Sequence, residues 1–358
     1  MRASHVLAGV LSILVAVVTP VAAEAASKTT TKKSSTQTKS TRQAAPAKAR
    51  VTKPKAAKPV RTVAKPRATP ARPRAAMPGS SEIEREFDHV GNPLLRSSAF
   101  IVQEVNSGRI LLEKNSAVAV PIASITKLMT SMIVLDAHQS LSEILEITDD
   151  DVDRLKGTSS RLAVGTRLSR EELLRLALMA SENRAASALA RNYPGGMHAF
   201  LEAVTVKAHM MGLSETRLFD GTGLNKNNVS SPRDLAVLVA NASRYPIIRE
   251  FSTSPEYTAE LARGRSHTFH NTNALVKSPD WQIDVQKTGF INESGKCLVM
   301  QAWMGNRQLA IVLLDSSGRY TRIADANRIR KWLEANAAFH SQPFAASSHG
   351  NELATSVN

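Results

Sequence analysis

Residues 27–80 cannot build a hydrophobic core, and this limits where the chain can fold. The segment holds 15 Lys and Arg and no Asp or Glu, and most of its other residues are Ala, Pro, Thr and Ser. It buries too little apolar surface to offset the entropy of ordering, and its prolines and like charges keep it extended. We predict a disordered basic linker over 26–80, a folded domain over 81–340 and a flexible polar tail over 341–358.

The first 25 residues have the pattern of a secretory signal peptide. They contain one arginine, an apolar run from Val6 to Val18, and small residues around Glu24. This predicts cleavage after Ala25 and export to the periplasm. The alternative is a membrane anchor, but the apolar run of about 13 residues is short for a bilayer span, which needs about twenty.

The net charge of +15 belongs to the linker, because residues 81–358 contain 30 basic and 30 acidic residues. In an exported protein, a basic linker favours an anionic envelope polymer as partner over nucleic acid. A solvated spacer is the simpler interpretation. The single cysteine, Cys297, excludes an internal disulfide, and its apolar surroundings predict a buried side chain.

Hydrophobic periodicity in the folded part predicts strands at both ends and helices between them. Apolar runs on either side of Asn106-Ser107-Gly108 predict a β-hairpin. The predicted helices contain SITKLMTSMIVLDAH, LSREELLRLALMA (with Ser169 and Glu172 in capping-box spacing), NRAASALARNY, GGMHAFLEAVTVKAHMMGL and SSPRDLAVLVANAS (with Ser231 as N-cap). Three β-rich runs follow, WQIDVQKTGF, GKCLVMQAWM and RQLAIVLLDSS, and YTRIADANRIRKWLEANA predicts a closing helix. Together they predict an α+β fold, an antiparallel sheet flanked by terminal helices with an inserted, mostly helical lobe.

Three short motifs occur in order on three of these predicted elements. They are Ser124-x-x-Lys127 at a helix start, Ser181-x-Asn183 at the turn after a helix, and Lys287-Thr288-Gly289 on a strand. Each motif is common by chance, but the ordered set in an exported protein indicates catalysis by a nucleophilic serine.

The residue types suit that chemistry. A serine hydroxyl attacks only when a base takes its proton, and Lys127 lies on the same helix face as Ser124. A free lysine, with a pKa of about 10.4, would be protonated. Burial and the nearby charge of Lys287 should both favour its neutral form. The backbone N–H groups of Ser124 and Phe290 would form an oxyanion hole.

The other motif residues would hold the substrate. Ser181 and Asn183 can pass a proton to the leaving amine and bind the substrate amide. Lys287 and Thr288 can bind a terminal carboxylate, and Gly289 leaves the strand open to a substrate backbone.

Longer stretches around the motifs carry a family resemblance. ASITKLMT, SENRAASALA, FDGTGLNKNNVSSPRDLAVLV, NTNALV and VQKTGFINESGKCLVM together resemble the low-molecular-mass penicillin-binding proteins, serine D-alanyl-D-alanine carboxypeptidases and endopeptidases. The resemblance covers about residues 90–335. It implies the serine β-lactamase and penicillin-binding-protein fold, peptidoglycan peptides as substrates, and acylation by β-lactams. It also implies Ser124 as the acyl-ester serine, Lys127 as the proton acceptor, Ser181 and Asn183 as the second motif, and Lys287 as the carboxylate ligand.

Several alternatives stay open. Only about 70 residues follow the third motif, which favours an endopeptidase over the carboxypeptidases that carry a further domain and an anchor helix. A β-lactamase would need a deacylating glutamate, and Glu172 and Glu182 each have a simpler explanation. A non-catalytic envelope-binding protein is a third alternative. We expect no cofactor and no metal, because His267 and His270 lie in a strand or loop without a paired-ligand motif.

Overall fold

The structure is a computed structural model, and it describes residues 87–88, 91–261, 264–318 and 320–336. The predicted signal peptide, basic linker and polar tail lie outside the described residues. Within the described ranges, every helix is too short or too polar to cross a membrane.

Eleven strands and seven α-helices make up this part of the chain. The strands are β1 (Ser97–Glu104), β2 (Ile110–Lys114), β3 (Val120–Pro121), β4 (Ile144–Glu146), β5 (Arg167–Ser169), β6 (Val229–Ser230), β7 (Glu256–Leu261), β8 (Arg265–His270), β9 (Gln282–Ile291), β10 (Gly295–Met304) and β11 (Arg307–Ser316). The helices are α1 (Thr126–Asp136), α2 (Arg170–Met179), α3 (Asn183–Arg191), α4 (Gly196–Met210), α5 (Pro232–Ala242), α6 (Pro246–Thr253) and α7 (Thr321–Ala335).

A five-stranded antiparallel sheet joins the two ends of the domain. Its strand order is β2-β1-β11-β10-β9, so the first hairpin lies beside the last strand and β9 forms one edge. This confirms the predicted sheet of distant segments. The other strands pair in three short ribbons, β3–β6, β4–β5 and β7–β8, which the sequence analysis missed together with α6.

Two hydrophobic clusters cover opposite faces of the sheet. On one face, alternate side chains such as Leu298, Met300 and Ile311 pack with Ile329 and Leu333 of α7. On the other face, the sheet packs with α5, and this cluster continues through α1, α2 and α3. Because strand side chains alternate between faces, β9 also presents one set of residues to the helical lobe. This places the third motif beside the turn Ala123–Ile125, which leads into α1.

Two helices begin at the capping signals that the sequence predicted. Ser169 and Glu172 form a capping box before α2, and Ser231 accepts a hydrogen bond from the Asp234 backbone before α5. The α1 helix is buried on nearly every side. Cys297 is fully buried and unpaired in β10, and burial raises the pKa of its thiol to about 11.

Candidate active site

Ser124 lies in a 3-10 turn, Ala123–Ile125, that leads directly into α1. Its neighbours Ala123 and Ile125 are fully buried, whereas Ser124 itself is partly exposed. Ala123 has a φ of 49°, a left-handed conformation that costs free energy for a residue with a Cβ. The turn therefore holds Ser124 at the surface of a buried segment.

Lys127 lies at the start of α1, and its side-chain nitrogen, Nζ, lies between three oxygens. Nζ is 2.8 Å from Ser124 Oγ, 2.8 Å from Asn183 Oδ1 and 2.6 Å from the Thr222 carbonyl oxygen. A neutral amine keeps two N–H groups and one lone pair. The amide and carbonyl oxygens can only accept, so they take the two N–H groups and leave the lone pair facing the Ser124 hydroxyl.

Burial determines the protonation of Lys127. The side chain is fully buried, and this lowers its pKa to about 7, against the opposing charges of Asp220 and Glu182. Burial thus acts in the predicted direction, whereas the charge of Lys287 is not among the causes of the Lys127 shift. The charge of Lys127, in turn, is one of the causes that lower the pKa of Lys287 in the third motif.

The second motif lies where α2 ends and α3 begins. Ser181 has a φ of 61°, and its hydroxyl accepts a hydrogen bond from Lys287 Nζ at 2.9 Å. Asn183 starts α3 and donates through Nδ2 to Thr158 Oγ1 at 3.0 Å. Asn183 thus joins Lys127 to the loop that contains Thr158.

The third motif lies on the edge strand β9. Lys287 is fully buried and donates to Ser181 Oγ and to the Thr288 carbonyl, each at 2.9 Å. Burial, followed by the charges of Lys127 and Arg322, lowers the pKa of Lys287 well below its usual range. The Thr288 hydroxyl shares a hydrogen bond of 2.6 Å with the Thr272 hydroxyl.

Two glycines allow the chain to pass close to Ser124. A Cβ on Gly289 would lie 2.8 Å from the Ile122 carbonyl oxygen and 3.2 Å from the Ser124 nitrogen. A Cβ on Gly223, which has a φ of 83°, would lie 2.0 Å from the Ala123 carbonyl oxygen. The sequence analysis assigned Gly289 to substrate access. The structure adds a tighter constraint, because any side chain there would collide with the backbone of the nucleophile turn.

The loop containing Thr222 was missed as part of the site. The Asp220 carboxylate accepts hydrogen bonds from the backbone nitrogens of Thr222 (2.7 Å), Gly223 (2.6 Å) and Asn225 (2.7 Å). These bonds fold the loop so that the Thr222 carbonyl meets Lys127. The Asp-Gly-Thr-Gly sequence was the available signal, since this composition favours tight turns.

Arg322, near the start of α7, was also missed. Its Nε and Nη1 atoms are buried and have no hydrogen-bond partner within the described part of the chain. Its charge contributes to lowering the Lys287 pKa, so the two cations are near one another. A buried guanidinium without a partner is costly, and an anion beside Lys287 would reduce that cost.

The structure brings the predicted residues of all three motifs together at one site. Glu172 serves in the capping box, and Glu182 accepts a hydrogen bond of 2.6 Å from Ser160. Over the described ranges, His, Cys, Asp and Glu side chains form no group of three or more that could share a metal ion.

Comparisons with known proteins agree with this geometry. The peptidase S11 family model, described as D-alanyl-D-alanine carboxypeptidase, matches residues 87–318. A D-alanyl-D-alanine endopeptidase of Pseudomonas aeruginosa is 46% identical over 242 residues, 67% of this chain and 78% of that protein. The D-alanyl-D-alanine endopeptidase of Escherichia coli is 40% identical over 266 residues, 74% of this chain and 86% of that protein.

Solved structures show the same fold. The crystal structure of the Streptomyces K15 DD-transpeptidase matches with a TM-score of 0.63 and 26% identity, over 67% of this chain and 97% of that one. This match confirms the predicted α+β fold of penicillin-binding proteins. Fold, motif geometry and sequence similarity agree, and the chain belongs to the peptidase S11 family of serine D-alanyl-D-alanine peptidases.

Proposed function

We propose that this protein is a periplasmic D,D-endopeptidase that hydrolyses D-alanyl cross-links in peptidoglycan through an acyl-enzyme and is inhibited by β-lactams. The observation that carries this proposal is the Ser124–Lys127 pair. The two polar atoms are 2.8 Å apart, and burial lowers the pKa of the Lys127 amine to about 7. A nucleophile with a base that is partly neutral at physiological pH is what acyl transfer requires.

In the first half of the reaction, Ser124 Oγ attacks the D-alanyl carbonyl carbon while Lys127 takes the hydroxyl proton. The backbone N–H groups of Ser124 and Phe290 stabilise the negative oxygen that develops. The C–N bond then breaks, and the leaving nitrogen receives a proton through Ser181. An ester between Ser124 and the D-alanyl group remains. In the second half, water attacks this ester, the acid is released and Ser124 regains its proton.

The carboxylate next to the scissile bond would bind among the positive charges. Lys287 and Arg322 supply charge, and the Thr288 hydroxyl supplies a hydrogen bond. The low pKa of Lys287 supports this assignment, because an anion there would offset the burial and the repulsion from Lys127 and Arg322, which make a proton on Lys287 unfavourable.

Labelling with a fluorescent penicillin tests the proposal. The wild-type protein should become covalently labelled, and Ser124→Ala should remain unlabelled. An unlabelled but folded wild-type protein would contradict the proposal and favour the alternative of a non-catalytic envelope-binding protein.

Digestion of purified sacculi separates endopeptidase from D,D-carboxypeptidase, the second candidate. The two relatives named D-alanyl-D-alanine endopeptidase support the first. We expect cross-linked muropeptide dimers to decrease. Loss of only the terminal D-alanine of pentapeptides would make the protein a carboxypeptidase.

The regions outside the described residues complete the proposal. Residues 1–25 would direct export, residues 26–80 would form a basic linker that adheres to anionic envelope polymer, and residues 341–358 would form a flexible tail. Co-sedimentation with sacculi at increasing salt, with and without residues 27–80, tests the linker. Equal and salt-independent sedimentation of both forms would make the linker a plain spacer.

A further inference from the structure

The proposed function fixes the direction in which a substrate runs along β9, and the following inference rests on it. The carboxylate of the leaving group lies at Lys287 and Thr288, and the scissile carbonyl lies between the N–H groups of Ser124 and Phe290. The acyl-donor peptide must therefore continue past Phe290, toward the turn between β9 and β10. Glu293 lies in that turn, three residues after Phe290.

An ion pair joins the helical lobe to the β9–β10 turn at this end. Lys156, from the loop before β5 on the helical lobe, contacts the Glu293 carboxylate in the β9–β10 turn. The two side chains are 27% and 35% exposed, so both can be reached from solvent. The hydrogen bond from Lys156 is the main cause that lowers the Glu293 pKa, and the charge of Lys226 contributes.

The loop that carries Lys156 is fixed relative to the catalytic residues. The Asp153 carboxylate accepts hydrogen bonds from the backbone nitrogens of Leu155 (2.8 Å), Lys156 (2.9 Å) and Thr158 (2.9 Å). The Thr158 hydroxyl also accepts from Asn183 of the second motif at 3.0 Å. Lys156 is thus held at a set position beside the path of the acyl donor.

Space for a side chain continues on the lobe side of this path. A cavity of about 370 Å³ is lined by residues 149–155 together with Asn183, Asp220, Thr222 and Leu224. It begins at residues that contact Lys127 and extends to the loop of Lys156. A long side chain on the donor residue before the D-alanine can therefore leave the active site toward Leu155, the neighbour of Lys156.

We propose that Lys156 and Glu293 form a subsite for a zwitterionic side chain on the acyl donor, a diamino acid whose free end carries both an ammonium and a carboxylate. The carboxylate of the substrate contacts Lys156 and its ammonium contacts Glu293. The pair separates to admit this group, and each member exchanges its intramolecular partner for one on the substrate.

This exchange is favourable because the four charges then alternate in sign, with two contact pairs in place of one. Both side chains are about a third exposed, so solvent and salt screen the gain, and the measured preference should be modest. The rigid loop reduces the entropy lost when the substrate binds.

The test compares three soluble D-alanyl-D-alanine peptides that differ only in the donor residue before D-alanine. One carries meso-diaminopimelate with a free zwitterionic end, one carries lysine, and one carries Nε-acetyl-lysine. In the wild-type protein, kcat/KM should decrease in that order, by about 3- to 10-fold at each step at low salt. Lys156→Met should remove the preference for diaminopimelate over lysine, and Glu293→Gln should remove the preference for lysine over acetyl-lysine.

Lys207→Met is a matched control. Lys207 forms an ion pair with Asp136 that is 22% and 40% exposed and lies between α4 and α1. This variant should keep both wild-type preferences. The subsite is contradicted if the wild-type protein does not discriminate among the three peptides. It is also contradicted if the Lys156 and Glu293 variants lower kcat/KM for all three equally, which would make the ion pair structural.

The outcome for the subsite is separable from that for the proposed function. Penicillin labelling of wild-type Ser124 tests the catalytic assignment without any zwitterionic side chain. Normal labelling with equal kcat/KM values overturns the subsite alone, whereas failure of labelling overturns the catalytic assignment itself.

Discussion

Two fully buried lysines lie close together in this active site, and their surroundings differ in the sign of the nearby charge. Around Lys127, burial is opposed by the carboxylates of Asp220 and Glu182, and its pKa falls only to about 7. Around Lys287, the charges of Lys127 and Arg322 lower the pKa further in the same direction as burial. Among the described residues, no carboxylate contributes to the Lys287 pKa.

This difference in neighbouring charge suits the two lysines to different chemical roles. The region around Lys127 contains its own counter-charges, so its amine titrates near neutrality and can exchange a proton. The region around Lys287 has excess positive charge that the described residues leave uncompensated, and a substrate carboxylate would compensate it. Under the proposed function, the same type of side chain would serve as base at Lys127 and as anion ligand at Lys287.

The largest expected effect comes from replacing the base. Lys127→Arg should reduce acylation by β-lactams by about 10²–10⁴-fold, nearly as much as Lys127→Ala, because a guanidinium does not deprotonate at accessible pH. The rate constant of penicillin labelling measures this. Lys207→Arg, at an ion pair outside the site, is the control. Normal acylation by Lys127→Arg would place the proton acceptor elsewhere.

The pH dependence should follow Lys127. The neutral amine is the active form and its pKa is about 7, so acylation should be lost as the pH falls through 7 and reach a plateau above it. The rate should rise about 100-fold between pH 5 and pH 8. Stopped-flow acylation by a penicillin, whose own carboxylate stays ionised throughout, measures this. A flat profile over that range would contradict the assignment of Lys127 as base.

Replacing the anion ligand should have an effect that depends on the substrate. Lys287→Met removes the charge but retains an apolar side chain of similar length. We expect kcat/KM to fall roughly 10- to 100-fold for a peptide ending in a carboxylate, because a charge-assisted hydrogen bond is lost. The same peptide with an amidated end should lose much less. Equal losses for both peptides would show that Lys287 does not bind the carboxylate.

Arg322→Met should act in the same direction with a smaller loss, about 10-fold, mainly through KM. Its guanidinium has buried nitrogens without a partner, so an apolar replacement of similar length should not destabilise the domain. Unchanged KM for the carboxylate peptide would remove Arg322 from the site.

The sequence predicted those parts of the site that have local signals. Ser169 and Ser231 cap their helices through bonds within three residues, and the β-rich runs of the last three strands, two of them joined at Gly305-Asn306, are enough to predict the final ladder. The three motifs could be found because their spacing and their order along the chain are visible in the sequence, and the fold then brings their side chains together. The long buried helix α1 also followed from its apolar sequence.

The rest depended on contacts between distant segments. Lys127 meets the Thr222 carbonyl across 95 residues, and a backbone carbonyl leaves no signature in residue type. Arg322 lies on α7, whose sequence is that of an ordinary amphipathic helix, so nothing in it marks this arginine as part of the site. The need for glycine at position 289 becomes visible only in the fold, where β9 passes close to the backbone of the Ser124 turn. The β3–β6 and β4–β5 ribbons, with two or three residues per strand, are too brief for periodicity to predict, whereas the six-residue strands of β7–β8 consist mostly of polar residues.

The smallest predicted effect concerns a hydroxyl that supports the anion site. Thr272 precedes the turn into β9, and its hydroxyl lies 2.6 Å from that of Thr288 and 3.5 Å from the Met179 carbonyl oxygen. If this contact orients Thr288 toward the substrate carboxylate, Thr272→Val should lower kcat/KM for a carboxylate-ended peptide by about 2- to 5-fold, the value of one neutral hydrogen bond.

The control uses a second threonine pair of the same kind. Thr258 and Thr268 share a hydrogen bond of 2.8 Å on the exposed β7–β8 ribbon, so Thr268→Val removes an equivalent contact away from the site. Thr268→Val should leave kcat/KM unchanged. Because the amidated peptide lacks the charge that Thr288 would contact, Thr272→Val should affect it less than the carboxylate peptide. Equal losses for both peptides would make Thr272 a structural residue, and the anion site would then consist of Lys287, Arg322 and Thr288 without a further orienting group.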